Sequence, residues 1–107
     1  MGLDFTSIKD RHGAAVYIIH SGNVLEQRAA ERLAADLAKR APKHQIEVLS
    51  AKSKDGESIV AFYSLNRMSF PHVLVVRDDD QLAHHWYGQS LPTAEQMAFS
   101  LQRVTES

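Results

Sequence analysis

Histidine, serine and carboxylate side chains that could carry out chemistry occur at two separated places in this sequence. His20, Ser21, Asn23 and Glu26 lie close together near the start of the chain, and His72 lies far downstream. Imidazoles exchange protons near neutral pH and, together with a carboxylate, can bind zinc. Either chemistry would require the fold to bring the two places together.

A structural interpretation of the same residues requires no chemistry. Asn23 is a good N-cap for a helix, and Glu26 three residues later can complete a capping box. His20 and His72 would then be strand-end residues with ordinary polar partners. Because capping already accounts for two of these side chains, we favour the structural interpretation and predict no catalytic residue. His20 and His72 remain secondary candidates for zinc ligands.

A second histidine feature, His84 followed by His85, lies in a stretch whose pattern is typical of a strand. Adjacent side chains on a strand point to opposite faces, so these two imidazoles cannot bind one metal ion together. His84 would share a face with Trp86, and His85 would share the other face with Tyr87. This pattern favours a partly exposed strand at a sheet edge, and such an edge could pair across a homodimer.

The composition excludes several classes of function. The chain has 107 residues, the size of one domain, and contains no cysteine. Disulfides, thiol redox chemistry, cysteine nucleophiles and thiolate metal sites are therefore excluded. The formal charge of −1, from 12 basic and 13 acidic residues, creates no overall field that would favour nucleic acid or an anionic membrane as a partner. No cofactor is indicated.

The sequence shows neither a membrane span nor a secretory signal. No apolar run approaches the roughly 18 residues that a membrane-spanning helix needs. The opening residues, Met-Gly-Leu-Asp-Phe, lack the basic and apolar blocks of a signal peptide. We therefore expect a soluble, cytoplasmic protein.

The first half of the chain predicts a strand, a helix and a second strand. Residues 14–20 are β-branched or aromatic with almost no polar interruption, which is typical of a strand buried on both faces. Residues 24–40 predict a helix, and residues 45–49 predict the next strand, parallel to the first. The apolar positions of the helix recur at a spacing of four, and three further alanines widen this stripe: Leu25, Ala29, Leu33, Leu37 and Ala41, with Ala30, Ala34 and Ala38.

The middle of the chain predicts a short helix followed by a third strand. A polar loop at 52–56 precedes the helix, which includes Ile59 and ends near Asn66. Pro71 is expected to open the third strand, because proline has no N–H for a sheet ladder and is tolerated at the first position of a strand. The apolar run that reaches Val76 continues that strand.

A hairpin and a capped helix complete the predicted order. An acidic turn follows the third strand, and residues 82–87 alternate as its antiparallel partner. Thr93 and Gln96 form a capping box for the last helix. The order β-α-β, short helix, β-β-α predicts an α/β fold with helices on both faces of one central mixed sheet, because the first and third strands require cover on both sides.

This order, with a proline that opens the third strand and a glycine that closes the fourth, resembles the thioredoxin fold. The resemblance is most specific in residues 68–71, Met-Ser-Phe-Pro, and in residues 86–88, Trp-Tyr-Gly, after the acidic hairpin. It covers about residues 14–105. In that family the proline is cis and faces the active-site loop, so the resemblance implies a cis bond between Phe70 and Pro71.

The main departure from the family is the missing dithiol. Thioredoxins carry a Cys-x-x-Cys motif between the first strand and the first helix, and its two cysteine positions correspond to Asn23 and Glu26 here. Neither residue can perform thiol chemistry, so the resemblance implies no dithiol activity and we do not expect an enzyme. We expect residues 1–13 to form an N-terminal extension and residues 14–107 to form the thioredoxin-like domain.

Without the dithiol, the resemblance still implies the thioredoxin scaffold and a peptide-facing groove beside the proline. The residues that would form this groove are Ser21, Gly22, Asn23, Glu26, Phe70, Pro71 and His72. The leading hypothesis is a redox-inactive module that binds an unknown protein or peptide. The alternatives are a small-ligand or zinc-dependent site at His20, Glu26 and His72, and a structural role as a homodimer.

Overall fold

The computed structural model describes residues 14–77, 79–88 and 91–106. Its elements in chain order are β1 (Ala15–His20), α1 (Val24–Arg40), β2 (Gln45–Ser50), α2 (Lys54–Phe62), β3 (His72–Val76), β4 (Leu82–Tyr87) and α3 (Ala94–Glu106). The predicted order of strands and helices is confirmed. The expected N-terminal extension, residues 1–13, lies outside the described residues. Within the described ranges, no helix is both long and apolar enough to cross a membrane.

The described strands form a mixed sheet in the order β2-β1-β3-β4. β1 runs parallel to β2 and antiparallel to β3, and β3 and β4 form the predicted hairpin. All residues of β1 and β3 are buried, whereas β2 and β4 occupy the edges and are only partly covered. The expected burial of the first and third strands is confirmed, as is the edge position of the strand that carries His84 and His85.

Apolar cores lie on both faces of the sheet, and successive residues of β1 and β3 alternate between them. The buried core on the α2 face consists of Ala15, Tyr17, Ile19, Ile59, Val60, Leu65, Leu74 and Val76. The buried core on the α1 and α3 face consists of Ala14, Val16, Ile18, Ala30, Leu37, Ala41, Val73, Val75, Met97 and Leu101. Each buried Val, Leu or Ile contributes about 1.5–3 kcal/mol. These two layers stabilise the fold without any cysteine.

The predicted apolar stripe of α1 packs on the sheet in part, but its first residues do not. Ala30, Leu37 and Ala41 are buried, but Leu25 is 75% exposed and Ala29 is also exposed. The prediction used a spacing of four, whereas an α-helix has 3.6 residues per turn, so each such step rotates the position by about 40°. Leu25, three steps before Leu37, is therefore turned by about 120° away from the sheet.

α2 begins inside the stretch that was predicted to be a polar loop. Ser53 caps this helix, and its Oγ accepts a hydrogen bond from Gly56 N–H at 3.0 Å. Glycine is unfavourable inside a helix, but a Cβ at position 56 would collide with the carbonyl oxygen of Ser50 in β2. Gly56 therefore allows α2 to pack closely against the end of β2. The helix ends at Phe62 and not, as predicted, near Asn66.

β3 begins immediately after Pro71. The peptide bond between Phe70 and Pro71 is cis, as the family resemblance implies. His72, and not the proline, is the first residue of the strand, so the strand starts one residue later than predicted. This boundary agrees with the lack of an N–H group on Pro71, which cannot donate to the ladder.

Candidate functional site

The loop between β1 and α1 is held by hydrogen bonds among its own residues. Oδ1 of Asn23 caps α1 and accepts from the N–H groups of Leu25 at 2.8 Å and Glu26 at 3.3 Å. Gly22 N–H donates to Nδ1 of His20 at 3.1 Å. Because that nitrogen accepts, a neutral His20 carries its ring hydrogen on Nε2. The predicted N-cap is confirmed.

Glu26 has a different partner from the one that a capping box requires. Its Oε1 accepts a hydrogen bond from Ser21 N–H at 3.0 Å. A capping box would place this bond on the N–H of Asn23, so that part of the prediction is wrong. Glu26 connects the end of β1 to the first turn of α1, where the positive end of the helix dipole stabilises its carboxylate.

The sheet places His20 and His72 on opposite faces. Ile19, and not His20, is the register partner of His72, and adjacent residues of a strand point to opposite sides. His20 therefore lies on the α1 and α3 face, whereas His72 lies on the α2 face. The predicted convergence of His20, Glu26 and His72 is wrong. Among the described residues, no group of three His, Asp or Glu side chains could hold a metal ion.

His72 instead contacts His85, a pair that the sequence analysis missed. His72 is wholly buried, its Nδ1 lies 2.8 Å from Nε2 of His85, and its Nε2 lies 2.7 Å from the carbonyl oxygen of Asn66. Tyr87 is the register partner of His72, so His85 is its diagonal neighbour on the same face of the hairpin. The two-residue spacing of His85 and Tyr87 indicates that they share a face of β4. It predicts a contact with His72 only once the register of the hairpin is known.

Aromatic rings surround the two histidines. The rings of Phe70 and His72 are nearly perpendicular with centroids 5.1 Å apart, and the Tyr87 ring lies 5.9 Å from His72 and 5.2 Å from His85. Burial lowers the pKa of His85 below its ordinary value, and the neighbouring His72 lowers it further. Both causes favour the neutral form of His85 over the charged form.

The turn from Asn66 to Ser69 is attached to its neighbours by backbone and side-chain hydrogen bonds. Oδ1 of Asn66 accepts from Met68 N–H at 2.8 Å. At the end of β4, Gly88 N–H donates to the carbonyl oxygens of Ser69 at 3.0 Å and Pro71 at 3.1 Å. These bonds, together with the contact between Asn66 and the buried imidazole of β3, fix the position of the turn beside the end of β4.

Large apolar side chains are exposed at the end of the sheet where β1 and β4 end and β3 begins. Met68 is 91% exposed, Leu25 75%, Val24 59% and Tyr87 51%. The antiparallel registers of β3 with β1 and β4 place all three segments at this same end. We call these four side chains together with Pro71 the Pro71 surface. Val24 and Leu25 belong to α1, which covers one face of the sheet, and Tyr87 lies on the α2 face, so the Pro71 surface runs across the end of the sheet. Exposed apolar side chains at such a place suit an interaction site.

The residues predicted to form the groove differ in accessibility. Gly22 and Asn23 are exposed, and His72 is wholly buried, while the intermediate members are Ser21, Glu26, Phe70 and Pro71. Phe70 packs against the core on the α2 face. His72 therefore supports this end of the sheet from inside the protein, and it cannot contact a ligand directly.

Cavities among the described residues lie elsewhere, along α1, α3 and β4. Two of them, of about 510 and 720 Å³, are lined by the C-terminal half of α1, the loop that follows it and residues at the start and along the length of α3. A third, of about 390 Å³, lies between His84 of β4 and α3. None of the three is lined by a residue that was predicted to form the groove. The candidate site is thus a surface formed by loops and strand ends.

No family model and no curated protein matches the sequence. Solved structures of thioredoxins do match the fold. The thioredoxin of Fasciola hepatica superposes with a TM-score of 0.64 at 16% identity, over 91% of this chain and 84% of that chain. Thioredoxin f2 of Chlamydomonas reinhardtii superposes with a TM-score of 0.64 at 8% identity, over 91% of this chain and 84% of that chain.

Proposed function

From a thioredoxin-like fold that contains no cysteine, we propose a redox-inactive domain that binds an extended apolar segment of another protein at the Pro71 surface. The observation that carries this proposal is the exposure of four large apolar side chains at one end of the sheet. Leaving such side chains in water has a cost that a partner could remove. Leu25 and Val24 occupy the helix start, Met68 the turn and Tyr87 the end of β4.

The form of the surface favours an extended segment over a small ligand. Its apolar side chains come from three chain segments, so one ligand must reach across all of them to cover them. The cavities of about 510 and 720 Å³ lie elsewhere, and a small molecule is usually held in a concave pocket that buries most of its surface. A flexible peptide can instead place successive apolar side chains on separated points.

The first loop supports a binding role and not a catalytic one. By the resemblance to thioredoxins, Asn23 and Glu26 correspond to the cysteine positions of that family, and both side chains accept hydrogen bonds that hold the loop. Val24 and Leu25, which lie between these two residues in the sequence, are exposed and accessible to a partner. The loop therefore offers exposed apolar side chains and no thiol chemistry.

A panel of ten-residue peptides, with Leu, Met or Phe at alternating positions, would test the proposal by chemical-shift mapping. Each peptide is matched with one in which those residues are replaced by Ser. We expect shifts of the amides of Leu25, Met68 and Gly88 with the apolar peptides only. Shifts confined to the cavities along α1 and α3, or no shifts with any peptide at millimolar concentration, would reject this surface as the binding site.

The substitution Met68→Asp tests the same surface from the side of the protein. Burying a Met side chain contributes about 1.5–3 kcal/mol, so we expect peptide affinity to fall by about tenfold or more. Phe99→Asp is a matched control, because Phe99 is 56% exposed on α3, outside the Pro71 surface. Equal losses in the two variants would show that the effect is not specific to the surface.

Homodimer formation through β4 is a second candidate role. It is favoured by the position of β4 at the sheet edge, where all its residues are at least partly exposed. An uncovered edge strand can pair with the same strand of a second copy. Light scattering that finds a monomer at high protein concentration would reject this role without affecting the peptide-binding proposal.

A further inference from the structure

The cavity of about 720 Å³ between the end of α1 and α3 has apolar walls. Its volume falls within the range of about 300–1,000 Å³ that is usual for small-ligand sites. Ala41 and Pro42 line it from the loop after α1, and Ala98 and Phe99 line it from α3. The Phe99 side chain is 56% exposed, so the protein leaves much of this ring uncovered. A ligand with an apolar body could remove that surface from water.

The polar side chains that line this cavity are mostly basic. They are Arg40, Lys43, His44 and Gln102, and none of the described residues that line it carries a carboxylate. Arg40 and Lys43 are both exposed, so an anion can approach them from solvent. The guanidinium of an arginine can bind a carboxylate through two parallel hydrogen bonds, and a lysine adds a compact positive charge. We call this site the Lys43 cavity.

The basic side chains of the Lys43 cavity outweigh the negative end of α1. The helix ends at Arg40, and its last carbonyl groups are equivalent to about half a negative elementary charge. Arg40 and Lys43 each carry a full positive charge. The carboxylates of Asp36 and Glu95 line the neighbouring cavity, which shares Arg40 but not Lys43. The Lys43 cavity is therefore the more positive of the two and attracts anions.

We infer that the Lys43 cavity is a second binding site, whose ligand is a small aromatic anion. The acidic group of the ligand accepts hydrogen bonds from Arg40 and Lys43, and its ring covers Phe99. A ring suits this wall better than an alkyl chain, because aromatic pairs gain energy beyond the area that they bury. The inference is carried by exposed basic groups and an uncovered aromatic ring in one cavity. No residue of the Pro71 surface lines this cavity, so the inference does not depend on the proposed peptide binding.

Three matched probes separate the contributions of the ring and the charge. Naphthoate has both, naphthamide has the ring without the charge, and acetate has the charge without the ring. Chemical-shift titrations at constant ionic strength measure their affinities for the whole protein. We expect naphthoate to bind with a Kd of about 1 mM or below, and about fivefold or more tightly than naphthamide or acetate. Equal affinities for naphthoate and naphthamide, or no binding of naphthoate at millimolar concentration, would overturn the inference.

The amides that shift in the naphthoate titration locate the ligand. We expect shifts at Ala41, Lys43 and Phe99, which line the Lys43 cavity from its two sides. Shifts confined to the Pro71 surface would place the anion there. Shifts centred on His84 would place it in the cavity of about 390 Å³ between β4 and α3. Either of these two results would reject the Lys43 cavity as the site.

The variants Arg40→Gln and Lys43→Gln test the role of charge. Both residues are exposed, so the fold should be kept. Each variant should weaken naphthoate binding by about three- to fivefold and leave naphthamide binding unchanged. Arg28→Gln is the matched control, because Arg28 is an exposed residue of the same helix. It lies about 18 Å from Arg40 along the helix axis, beyond the Debye length of about 8 Å at physiological salt. An equal loss in Arg28→Gln would contradict the inference.

Phe99→Ala tests the role of the apolar wall. The ring is largely exposed and alanine favours a helix, so α3 should be kept. Naphthoate and naphthamide should both bind about five- to tenfold more weakly. Phe62→Ala is the matched control, because Phe62 is 44% exposed at the end of α2 and does not line the cavity. Unchanged naphthoate binding in Phe99→Ala would refute the inference.

Arg103→Gln distinguishes the two cavities that share Phe99. The Arg103 guanidinium lies 5.7 Å from the centroid of the Phe99 ring, and Arg103 lines the cavity beside His84 and not the Lys43 cavity. Its loss should therefore weaken naphthoate binding less than Arg40→Gln does. The reverse order would place the anion beside His84 and would overturn the inference.

Discussion

The loop after β1 and the region around β3 differ in the range of their hydrogen bonds. In the first loop, the bonds of His20, Asn23 and Glu26 join residues at most five positions apart. Around β3, the bond between His72 and His85 joins residues 13 positions apart. The first loop is thus organised by its own sequence, whereas the second region depends on strand register. Substitutions in the two regions should therefore differ in size and in pH dependence.

The largest expected effect is that of His72→Ala. This substitution removes a wholly buried ring and the partner of Nε2 of His85, while the Asn66 carbonyl keeps its hydrogen bond from Ser69 N–H. Loss of packing and of the bond to His85 should lower the free energy of unfolding by about 2–4 kcal/mol. Urea denaturation measures this change. A loss no greater than that of Asn23→Ala would contradict the contrast between the two regions.

The next effect is the pH dependence of stability. The pKa of His85 is lowered in the folded state, so folding favours its neutral form. The contribution of neutral His85 to the free energy of unfolding is therefore fully present above the pKa of an unfolded histidine, near 6.5. It is lost as the pH falls from there toward the folded pKa, since the unfolded chain binds the proton first. Urea midpoints at about pH 7.5 and pH 5.5 should show this decline, and His85→Gln should make it shallower. Equal slopes in the two proteins would contradict the assignment to His85.

Asn23→Ala should have a smaller effect. The substitution removes the Oδ1 acceptor that caps α1, at a cost of about 1 kcal/mol. Asn23→Asp should restore most of that stability, because aspartate is an equally good N-cap. Thermal denaturation followed by circular dichroism compares the three proteins. An Asp variant as unstable as the Ala variant would show that the cap is not the cause of the loss.

Glu26→Gln should have the smallest effect. The amide oxygen can still accept from Ser21 N–H, and only the charge near the start of α1 is lost. We expect a decrease of about 0.3–1 kcal/mol that shrinks at high salt. Denaturation with and without added salt measures it. A change as large as that of His72→Ala would mean that Glu26 has a role beyond the loop.

Much of the fold could be predicted because its determinants are local. The bounds of α1, its Asn23 cap and the capping box of Thr93 and Gln96 all agree with the structure. α2 was less predictable, because glycine is unfavourable inside a helix. The advantage of Gly56, which is close packing of α2 against Ser50 of β2, appears only in the folded structure. The exposure of Leu25 was missed because a spacing of four slowly rotates around a helix of 3.6 residues per turn.

The placement of the first loop and Pro71 at one end of the sheet could be predicted, but the contacts of the histidines could not. The loop before α1 and the proline before β3 do lie at one end of the sheet, as the order of elements implies. The contact partners of the histidines were wrong, since His20 and His72 point to opposite faces and His72 meets His85. One residue of register decides these faces, and sequence spacing alone does not specify register.

The sequence by itself determined three properties of this protein: the absence of thiol chemistry, the positions of the helix caps, and the burial of the central strands on both faces. Those properties depend on residue type and on neighbours a few positions away. Only the tertiary structure decided that His72 and His85 share a hydrogen bond and that Leu25 and Met68 are left uncovered. Such contacts depend on strand register and helix rotation, which arise when the whole sheet packs.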